Sequence, residues 1–450
     1  MADARASCVI VTDAANHIAG IVTEQDAARR VAFKLAAEEP VERAMSAPVA
    51  TIAANDYLYH AVAVMRRRGL RHMPVVDGSG TPVGMLELHD ALAVASGQMV
   101  DQIDRLTHEQ TVRGMAAVKA EQISVAEQLF ADNVPAPEIL SLISQVNGDL
   151  HRRVVELALR EMADEGLGAP PLPFAVIVMG SGGRGESAIG ADQDNGFVLA
   201  DYDDSDHRAI DRFFIDLAVR MTEMLDQVGL PLCSGGVMAS NALWRKSLSQ
   251  WRAQLDFWLA KRNQSMIRLA DIFFDFRPVY GDLALAHSLR EKVTERLKDA
   301  YPFLQVMHAI QAEHKTALGW FGRLRTHDEP EHKNRLNLKY DAGLPLVETV
   351  RLLSMVAGVA STGTLGRIDA LSKAGIIGGE ESDYLAAAFN LITGLMLRQQ
   401  IADFRSGRDV GYWLDPHDLS VRDRDLLVDG LRAIEALRDR VNTEFTGSIF

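Results

Sequence analysis

Residues 174–200 read FAVIVMGSGGRGESAIGADQDNGFVLA, and this stretch decides which fold the chain is expected to adopt. Residues 174–179 are a continuous apolar run, which is typical of a strand buried on both faces. A glycine-rich turn follows at 180–187, and residues 197–200 form a second apolar run. The pattern predicts a strand, a glycine turn and a second strand that begins with acidic residues.

The acidic residues of this stretch are Asp192 and Asp194, placed two apart where the second strand is expected to start. Alternation along a strand then points both carboxylates to the same side. The glycine turn lets backbone N–H groups approach an anion, and the start of the next helix adds a favourable dipole. Because Mg²⁺ prefers oxygen ligands and often shares them with substrate phosphates, the pattern predicts a magnesium and nucleoside triphosphate site.

Other phosphate-binding loops fit this stretch less well. A Walker A loop requires Gly-Lys-Ser/Thr, whereas Arg184-Gly185-Glu186 occurs here. Gly180, Gly182 and Gly185 match the pattern Gly-x-Gly-x-x-Gly, but no acid at the expected end of a later strand supports dinucleotide binding. The alternative that remains open is a glycine turn beside a solvated acidic loop without catalytic chemistry.

The order Gly-Ser, spacer, Asp-x-Asp resembles the signature of the polymerase β nucleotidyltransferase superfamily. The run Gly-Gly-Arg-Gly-Glu at 182–186 is similar to the catalytic motif of PII-protein uridylyltransferases and glutamine synthetase adenylyltransferases. With the regions on either side, described below, the whole chain resembles the nucleotidyltransferase family that carries CBS domains and a C-terminal substrate-binding domain. The resemblance implies a polymerase β-like core with a mixed sheet.

The resemblance also implies roles for individual residues. Asp192 and Asp194 would bind two metal ions, and a third carboxylate would come from a later strand. We choose Asp275, on a strand predicted over 272–281, with Asp271 as the competitor on the same strand face. Arg277, also on that face, is expected to meet the same phosphate.

The nucleotide-binding set implied by the resemblance is Gly180, Ser181, Arg184 and Glu186. Gly180 and Ser181 would bind the β and γ phosphates, and Arg184 would add positive charge. Glu186 is expected to orient Arg184 rather than to bind metal. The segment 233–244 resembles a segment of the same family expected near the nucleotide, or it is an ordinary loop.

The N-terminal region contains a repeat of strand, turn, strand and helix, at residues 8–22 and again at 72–95. Both copies resemble the CBS domain, and the first lacks its opening strand and helix, so we expect it to be truncated. Gly20, Thr23 and Asp26 match the CBS element that contacts the ribose and phosphates of adenine nucleotides. In the second copy Glu87 replaces the hydroxyl residue and would repel phosphate. Alternatively, Thr23 and Asp26 only cap a helix predicted from Glu24.

These segments together predict a multidomain α+β protein. The predicted domains are a CBS module at 1–98, which is a partial pair, a helical connector at 99–145, the nucleotidyltransferase core at 146–298 and a helical substrate-binding domain at 299–450. In the last domain, helices are predicted over 304–317, 344–359, 384–401 and 423–441. Acceptor binding is implied there, with ordinary ion pairs as the alternative, for Lys339, Asp341, Arg351 and Arg367.

Composition limits the classes of partner. The chain has 450 residues, 48% of them hydrophobic, which fits a globular protein of several domains. Its formal net charge of -14 repels polyanions, so nucleic acid is not an expected partner. Cys8 and Cys233 are too few for a disulfide framework or a thiolate metal site. No apolar run is long enough to span a bilayer, and we expect a cytoplasmic protein.

The predicted activity is the Mg²⁺-dependent transfer of a nucleotidyl group from ATP or UTP to an acceptor hydroxyl. The acceptor is a protein, either PII-like or an enzyme target, or a small molecule. AMP or ATP at the CBS module would regulate the transfer, and a homodimer is expected by analogy with CBS pairs. Two alternatives remain open, a catalytically silent nucleotide sensor and a phosphohydrolase.

Overall fold

The structure is a computed structural model that describes residues 7–23, 26–27, 35, 39–54, 61, 64–65, 68, 70–88, 109, 111–261, 264–319 and 322–446. It divides into two compact units. The first comprises Met1–Arg105 with Ala131–Val134, and the second comprises Leu106–Phe130 with Pro135–Phe450.

The first unit contains two small sheets. Strands β1 (Cys8–Thr12) and β2 (Ile18–Thr23) pair antiparallel. In the other sheet, β3 (Ile52–Ala53) runs parallel to β4 (His72–Val76), which pairs antiparallel with β5 (Pro82–Glu87). The strands predicted for both repeats are therefore confirmed. The helix predicted from Glu24 and the helix that ends the second repeat at residue 95 lie partly or wholly outside the described residues.

The second unit is built on a four-stranded mixed sheet in the order β8-β7-β6-β9. Its strands are β6 (Phe174–Val178), β7 (Asn195–Leu199), β8 (Arg245–Ser247) and β9 (Arg277–Gly281). Strand β6 pairs antiparallel with both β7 and β9, whereas β8 runs parallel to β7. Every residue of β6 and β7 is buried, as expected for apolar runs that are covered on both faces.

Seven helices of the described residues come before the C-terminal region. They are α1 (Val112–Ala131), α2 (Ala136–Asp164), α3 (Gly180–Arg184), α4 (His207–Val228), α5 (Leu248–Lys261), α6 (Gln264–Phe273) and α7 (Leu283–Lys298). Helix α4 covers the sheet with an apolar stripe, and its Phe214 ring lies edge-on to Phe174 with 5.1 Å between centroids. Helix α2 runs without interruption across the boundary predicted between connector and core.

The C-terminal region is helical, as the sequence predicts. Its elements are α8 (Tyr301–Gln311), β10 (Leu336–Asn337), a π-helical turn (Lys339–Gly343), α9 (Leu344–Ala357), α10 (Thr364–Lys373), α11 (Gly379–Arg405), β11 (Trp413–Leu414) and α12 (Val421–Thr446). Helix α9 is central, because residues 345–355 are all buried. Among the described residues, no helix is long and apolar enough to cross a bilayer.

Candidate active site

The glycine turn after β6 forms the short helix α3. At two of its positions a side chain larger than that of glycine would clash with neighbouring atoms. Gly180 has a φ of +57°, and a Cβ there would lie 3.0 Å from Asp194 Oδ2. A Cβ on Gly183 would lie 1.8 Å from the carbonyl oxygen of Asp275. Only glycine therefore lets the turn pack between the acidic strand and the segment that precedes β9.

The acidic pair lies just before β7, which begins at Asn195. The polar side chains next to the pair point the other way and are buried. Gln193 Nε2 donates to the carbonyl oxygens of Thr222 at 3.0 Å and Leu230 at 3.1 Å. Asn195 Nδ2 donates to Gln193 Oε1 at 3.1 Å. These bonds fix the strand so that Asp192 and Asp194 lie together on its opposite side.

A third side chain completes the acidic pair, and it is Cys233. One ligand atom each from Asp192, Asp194 and Cys233 lie within 4.8 Å of one another. Asp194 Oδ1 is buried and has no hydrogen-bond partner among the described residues. Burial first, and then the charge of Asp192, raises the pKa of Asp194 to about 7. An unpartnered buried carboxylate oxygen is costly, and a cation would remove that cost.

The group of converging ligand atoms does not include Asp275, and the metal role of Asp275 stays a prediction. The predicted strand over 272–281 is wrong in its first part, since α6 continues to Phe273 and β9 begins at Arg277. Asp275 lies in the turn between them and is 0% exposed. Asp271, the competitor, lies on α6 and pairs with Arg351.

Three guanidinium groups surround the Asp275 carboxylate. Arg184 Nη1 and Arg351 Nη1 donate to its Oδ2 at 2.8 and 2.9 Å, and Arg367 Nη2 donates to its Oδ1 at 2.6 Å. Burial alone would raise the pKa of Asp275, but the three arginines hold it well below its ordinary value. Asp275 is therefore the counter-ion of an arginine cluster. The family-implied acceptor residues Arg351 and Arg367 belong to that cluster.

Arg184 and Glu186 fasten the glycine turn to the helical region. Arg184 Nε donates to Glu186 Oε2 at 2.7 Å, so Glu186 orients Arg184 as the sequence suggested. Glu186 Oε1 also accepts from the backbone N–H of Thr364 at 2.6 Å, and the Thr362 hydroxyl donates to the Gly183 carbonyl at 2.9 Å. With carboxylates on two of its donors, Arg184 has less to offer a phosphate than the sequence implied.

Arg277 is the first residue of β9, and its contact with a phosphate stays a prediction. Its Nη2 donates to the carbonyl oxygen of Ser144 on α2 at 2.7 Å. It lines a cavity of about 20 Å³ together with His151, Asp192 and Asp194. A positive charge therefore lies on one side of the acidic pair.

Lys339 and Tyr412 of the helical region lie close enough to the acidic pair to interact with its charges. The charge of Lys339 partly opposes the rise in the pKa of Asp194. Burial, and then the charge of Asp192, raises the pKa of Tyr412 to about 12. Lys339 Nζ is 4.9 Å from the Tyr412 ring centroid, and Leu338 N donates to the Tyr412 carbonyl at 2.9 Å.

The sequence did not identify Tyr412 and gave Lys339 no more weight than three other polar residues. The sequence offered little to identify Lys339 and Tyr412, because neither residue belongs to a motif. A cavity of about 80 Å³ lies beside both and is also lined by Ser181, Arg184 and Glu186. The remaining lining is largely apolar, with Leu344, Val347, Phe389, Ile392 and Met396. Asp341, the fourth polar residue, instead accepts from His327 Nε2 at 2.9 Å.

The CBS element of the first unit forms a capping arrangement. Thr23 Oγ1 donates to Asp26 Oδ2 at 2.7 Å, and Asp26 N donates to Thr23 Oγ1 at 3.2 Å. Gly20 is buried, and a Cβ there would lie 2.2 Å from Met45 Sδ. These bonds provide the structural role that the sequence left open for Thr23 and Asp26, and the nucleotide contact stays a prediction.

Comparison with known proteins agrees with this architecture. Residues 120–265 match the family described as "Putative nucleotidyltransferase DUF294", and residues 301–445 match "Putative nucleotidyltransferase substrate binding domain". Residues 41–97 match the CBS domain. The first two descriptions are of putative nucleotidyltransferase regions, and the order of the three matches is the one expected from the sequence.

A curated relative matches only a small part of the chain. One curated relative, "Uncharacterized 17.7 kDa protein in bps2 3'region" from Acidianus ambivalens, is 28% identical over 82 residues. The match covers 18% of this chain and 49% of the relative, so the chain spans about half of that protein's length.

Two solved structures are similar to about a fifth of the chain. One is described as "a putative signal-transduction protein with CBS domains from Burkholderia ambifaria MC40-6", with 31% identity, a TM-score of 0.20 and coverage of 21% of this chain and 70% of that one. The other is Staphylococcus aureus OpuCA, with 20% identity, a TM-score of 0.19 and coverage of 22% and 80%. Both TM-scores are too low to bear on the fold of this chain.

Proposed function

We propose that the chain transfers a nucleotidyl group from ATP or UTP to the hydroxyl of a protein or small-molecule acceptor. The observation that carries the proposal is the cluster beside the glycine turn, where Asp192 and Asp194 converge and Asp194 Oδ1 is buried with no hydrogen-bond partner among the residues that the structure describes. Two carboxylates beside a Gly-Ser turn suit a divalent cation that also binds substrate phosphates. Asp192 and Asp194 would hold this cation, with Mg²⁺ as the first candidate.

When bound, such a cation offsets the charge of the triphosphate and of the pyrophosphate that leaves. The protein's own side chains supply the rest of the site. Lys339 brings positive charge to the same cluster from the helical region, and the Ser181 hydroxyl lines the adjoining cavity. The apolar lining of that cavity would exclude water from the nucleotide, which favours transfer to an acceptor over hydrolysis.

A second candidate function is a nucleotide sensor without catalytic activity. It is favoured by one observation, namely that Asp275 is held by three arginines and supplies no third carboxylate to the cluster. A catalytic site of this superfamily is expected to need that carboxylate, whereas a sensor only has to bind. Release of pyrophosphate from ATP or UTP, in the presence of candidate acceptors, distinguishes the enzyme from the sensor.

The test of the site is calorimetric titration with ATP and with UTP, each with and without Mg²⁺. The Asp192→Asn, Asp194→Asn double variant is expected to lose the metal-dependent part of binding. The matched control is Asp204→Asn, Asp206→Asn, an exposed acidic pair with the same spacing, which should bind as the wild type does. If the first double variant binds the triphosphate with unchanged metal dependence, the proposed site is wrong.

Two further proposals concern the CBS module. We propose that AMP or ATP binds at Gly20, Thr23 and Asp26 and regulates the transfer, because these residues match the CBS nucleotide element. Calorimetry with AMP on the Asp192→Asn, Asp194→Asn variant would measure this site without the nucleotide site at the acidic pair.

We also propose a homodimer, and light scattering that gives a monomer at micromolar concentration would contradict it.

A further inference from the structure

Cys233 is held in place by backbone hydrogen bonds on both sides of it. Gln193 N donates to the Pro231 carbonyl at 3.0 Å, and Asn195 N donates to the Val237 carbonyl at 3.0 Å. Leu232 forms a parallel β-bridge with Gln193. The segment therefore runs alongside the acidic strand as a short additional strand, and its next residue, Cys233, comes level with Asp194.

The loop after Cys233 is also closed against this strand. Gly236 N donates to the Cys233 carbonyl at 3.0 Å, and Gly236 has a φ of +66°. Ala239 N donates to Asn195 Oδ1 at 2.9 Å, so the buried amide of Asn195 binds the far end of the loop. The position of the thiol is thus set by hydrogen bonds to Gln193 and Asn195, the two residues whose side chains also orient the carboxylates.

We propose that Cys233 Sγ is the third protein ligand of the cation site, and that the site therefore prefers a softer divalent cation, such as Co²⁺ or Cd²⁺, to Mg²⁺. The inference rests on the proposed function, in which Asp192 and Asp194 hold a cation. It is carried by the convergence of the three ligand atoms within 4.8 Å and by Asp194 Oδ1, a buried atom that has no hydrogen-bond partner in the described part of the chain. Among the described residues Cys233 forms no disulfide, and its thiol is hydrogen-bonded to the Asp194 carboxylate, the group with which it would share the cation.

The preference follows from the chemistry of the ligands. Mg²⁺ takes hard oxygen ligands at short, nearly octahedral distances and seldom accepts sulfur. A thiolate favours softer metals, and a site with two carboxylates and one thiolate keeps enough oxygen to bind substrate phosphates through the same ion. Binding would release the thiol proton to solvent, because the thiolate is the form that ligates.

The first test is a titration of the full chain with Co²⁺, followed by the absorption of the thiolate-to-cobalt charge transfer in the near ultraviolet. The wild type is expected to show this band. The Cys233→Ser variant is expected to lose it, and Cys8→Ser is the matched control, since Cys8 is the other free cysteine and lies in the first unit. A band of equal intensity in Cys233→Ser would overturn the inference.

The second test compares affinities for Cd²⁺ and Mg²⁺ by calorimetry. Cys233→Ser is expected to bind Cd²⁺ at least about tenfold more weakly, the lower range for disturbing a metal site, with little change for Mg²⁺. Cys233→Asp should bind Mg²⁺ more tightly than the wild type, because it restores an oxygen ligand. If the substitutions only unfold the loop, Cys233→Ser and Cys233→Asp would both bind Cd²⁺ and Mg²⁺ more weakly than the wild type. That result also counts against the inference.

Different results would contradict the cation site of the proposed function and the ligand role of Cys233. If Asp192→Asn, Asp194→Asn abolishes Cd²⁺ binding and Cys233→Ser leaves it unchanged, the cation site stands and the thiol is outside it. If the double variant binds Co²⁺ and Cd²⁺ as the wild type does, the cation site of the proposed function is itself wrong.

Discussion

Asp275 shows how a buried charge at a single residue depends on its partners. Its carboxylate is 0% exposed and accepts from Arg184, Arg351 and Arg367. Removing one member of such a buried set leaves the others uncompensated, which typically costs about 3–5 kcal/mol. The arrangement predicts a structural role for a residue whose sequence context suggested metal binding.

We therefore expect Asp275→Asn to lower the free energy of unfolding by about 3–5 kcal/mol, as measured by urea denaturation. The Asp256→Asn control removes an exposed carboxylate that pairs with Arg296, and it should cost less than about 1 kcal/mol. Loss of metal affinity with unchanged stability in Asp275→Asn would instead restore the role that the sequence predicted.

His151 predicts a pH dependence of stability. The ring is buried, its Nδ1 lies 2.7 Å from the Asn147 carbonyl, and burial lowers the pKa of His151 to about 4. Between pH 6.5 and 4 the unfolded chain binds a proton at this residue that the folded chain does not, so stability falls as the pH falls through that range. The contribution is at most about 3 kcal/mol.

The measurement is thermal or urea unfolding of the wild type and of His151→Gln from pH 7 to pH 4. The variant is expected to lose the part of the pH slope that His151 causes, whereas the exposed control His417→Gln should keep the full slope. Identical slopes in wild type and His151→Gln would show that the buried ring takes up its proton without cost to the fold.

Cys233 marks the limit of sequence reasoning at the residue scale. Counting two cysteines argued against a thiolate metal site, because a count carries no information about which side chains the fold brings together. The acidic pair was predictable, since its spacing encodes a shared strand face. The third member of the cluster comes from a separate loop, and only the β-bridge between Gln193 and Leu232 puts it there.

At the scale of elements, the strand β6 was predictable from its continuous apolar run, whereas the start of β9 was not. Ile272, Phe273 and Phe274 read as the start of a strand, but Ile267, Ala270 and Phe273 are buried at helical spacing. A short apolar run is compatible with the periodicity of a strand and with that of a helix. Here packing against the rest of the fold stabilises the helix. The predicted position of Asp275 was therefore wrong, because its strand began later.

The glycine turn allows a sharp test of packing between elements. Gly183→Ala would place a Cβ 1.8 Å from the Asp275 carbonyl oxygen, a backbone atom that cannot move alone. We expect a loss of about 1–3 kcal/mol in the free energy of unfolding, measured by urea denaturation. Gly182→Ala is the matched control, because the nearest atom to its Cβ is 3.7 Å away, and its stability should change little.

At the scale of the whole molecule, the sequence predicted the order of the regions better than their limits. The CBS match, the mixed sheet and the C-terminal helices occur in the expected order. Helix α2 crosses the predicted boundary between connector and core, and the described connector belongs to the second compact unit except for Ala131–Val134. Helical periodicity identifies a helix but does not show which region of the fold it packs against. The boundaries between regions therefore cannot be read from periodicity alone.

The fastening of the glycine turn to the helical region has a mechanical consequence. Glu186 binds the start of α10, and Asp275 binds Arg351 of α9 and Arg367 of α10. To swing the helical region away from the sheet as a hinged lid, the protein would have to separate several buried charges at once. We therefore expect the helical region to stay in place when a substrate binds. The substrate would enter after small rotations of the Lys339 and Tyr412 side chains.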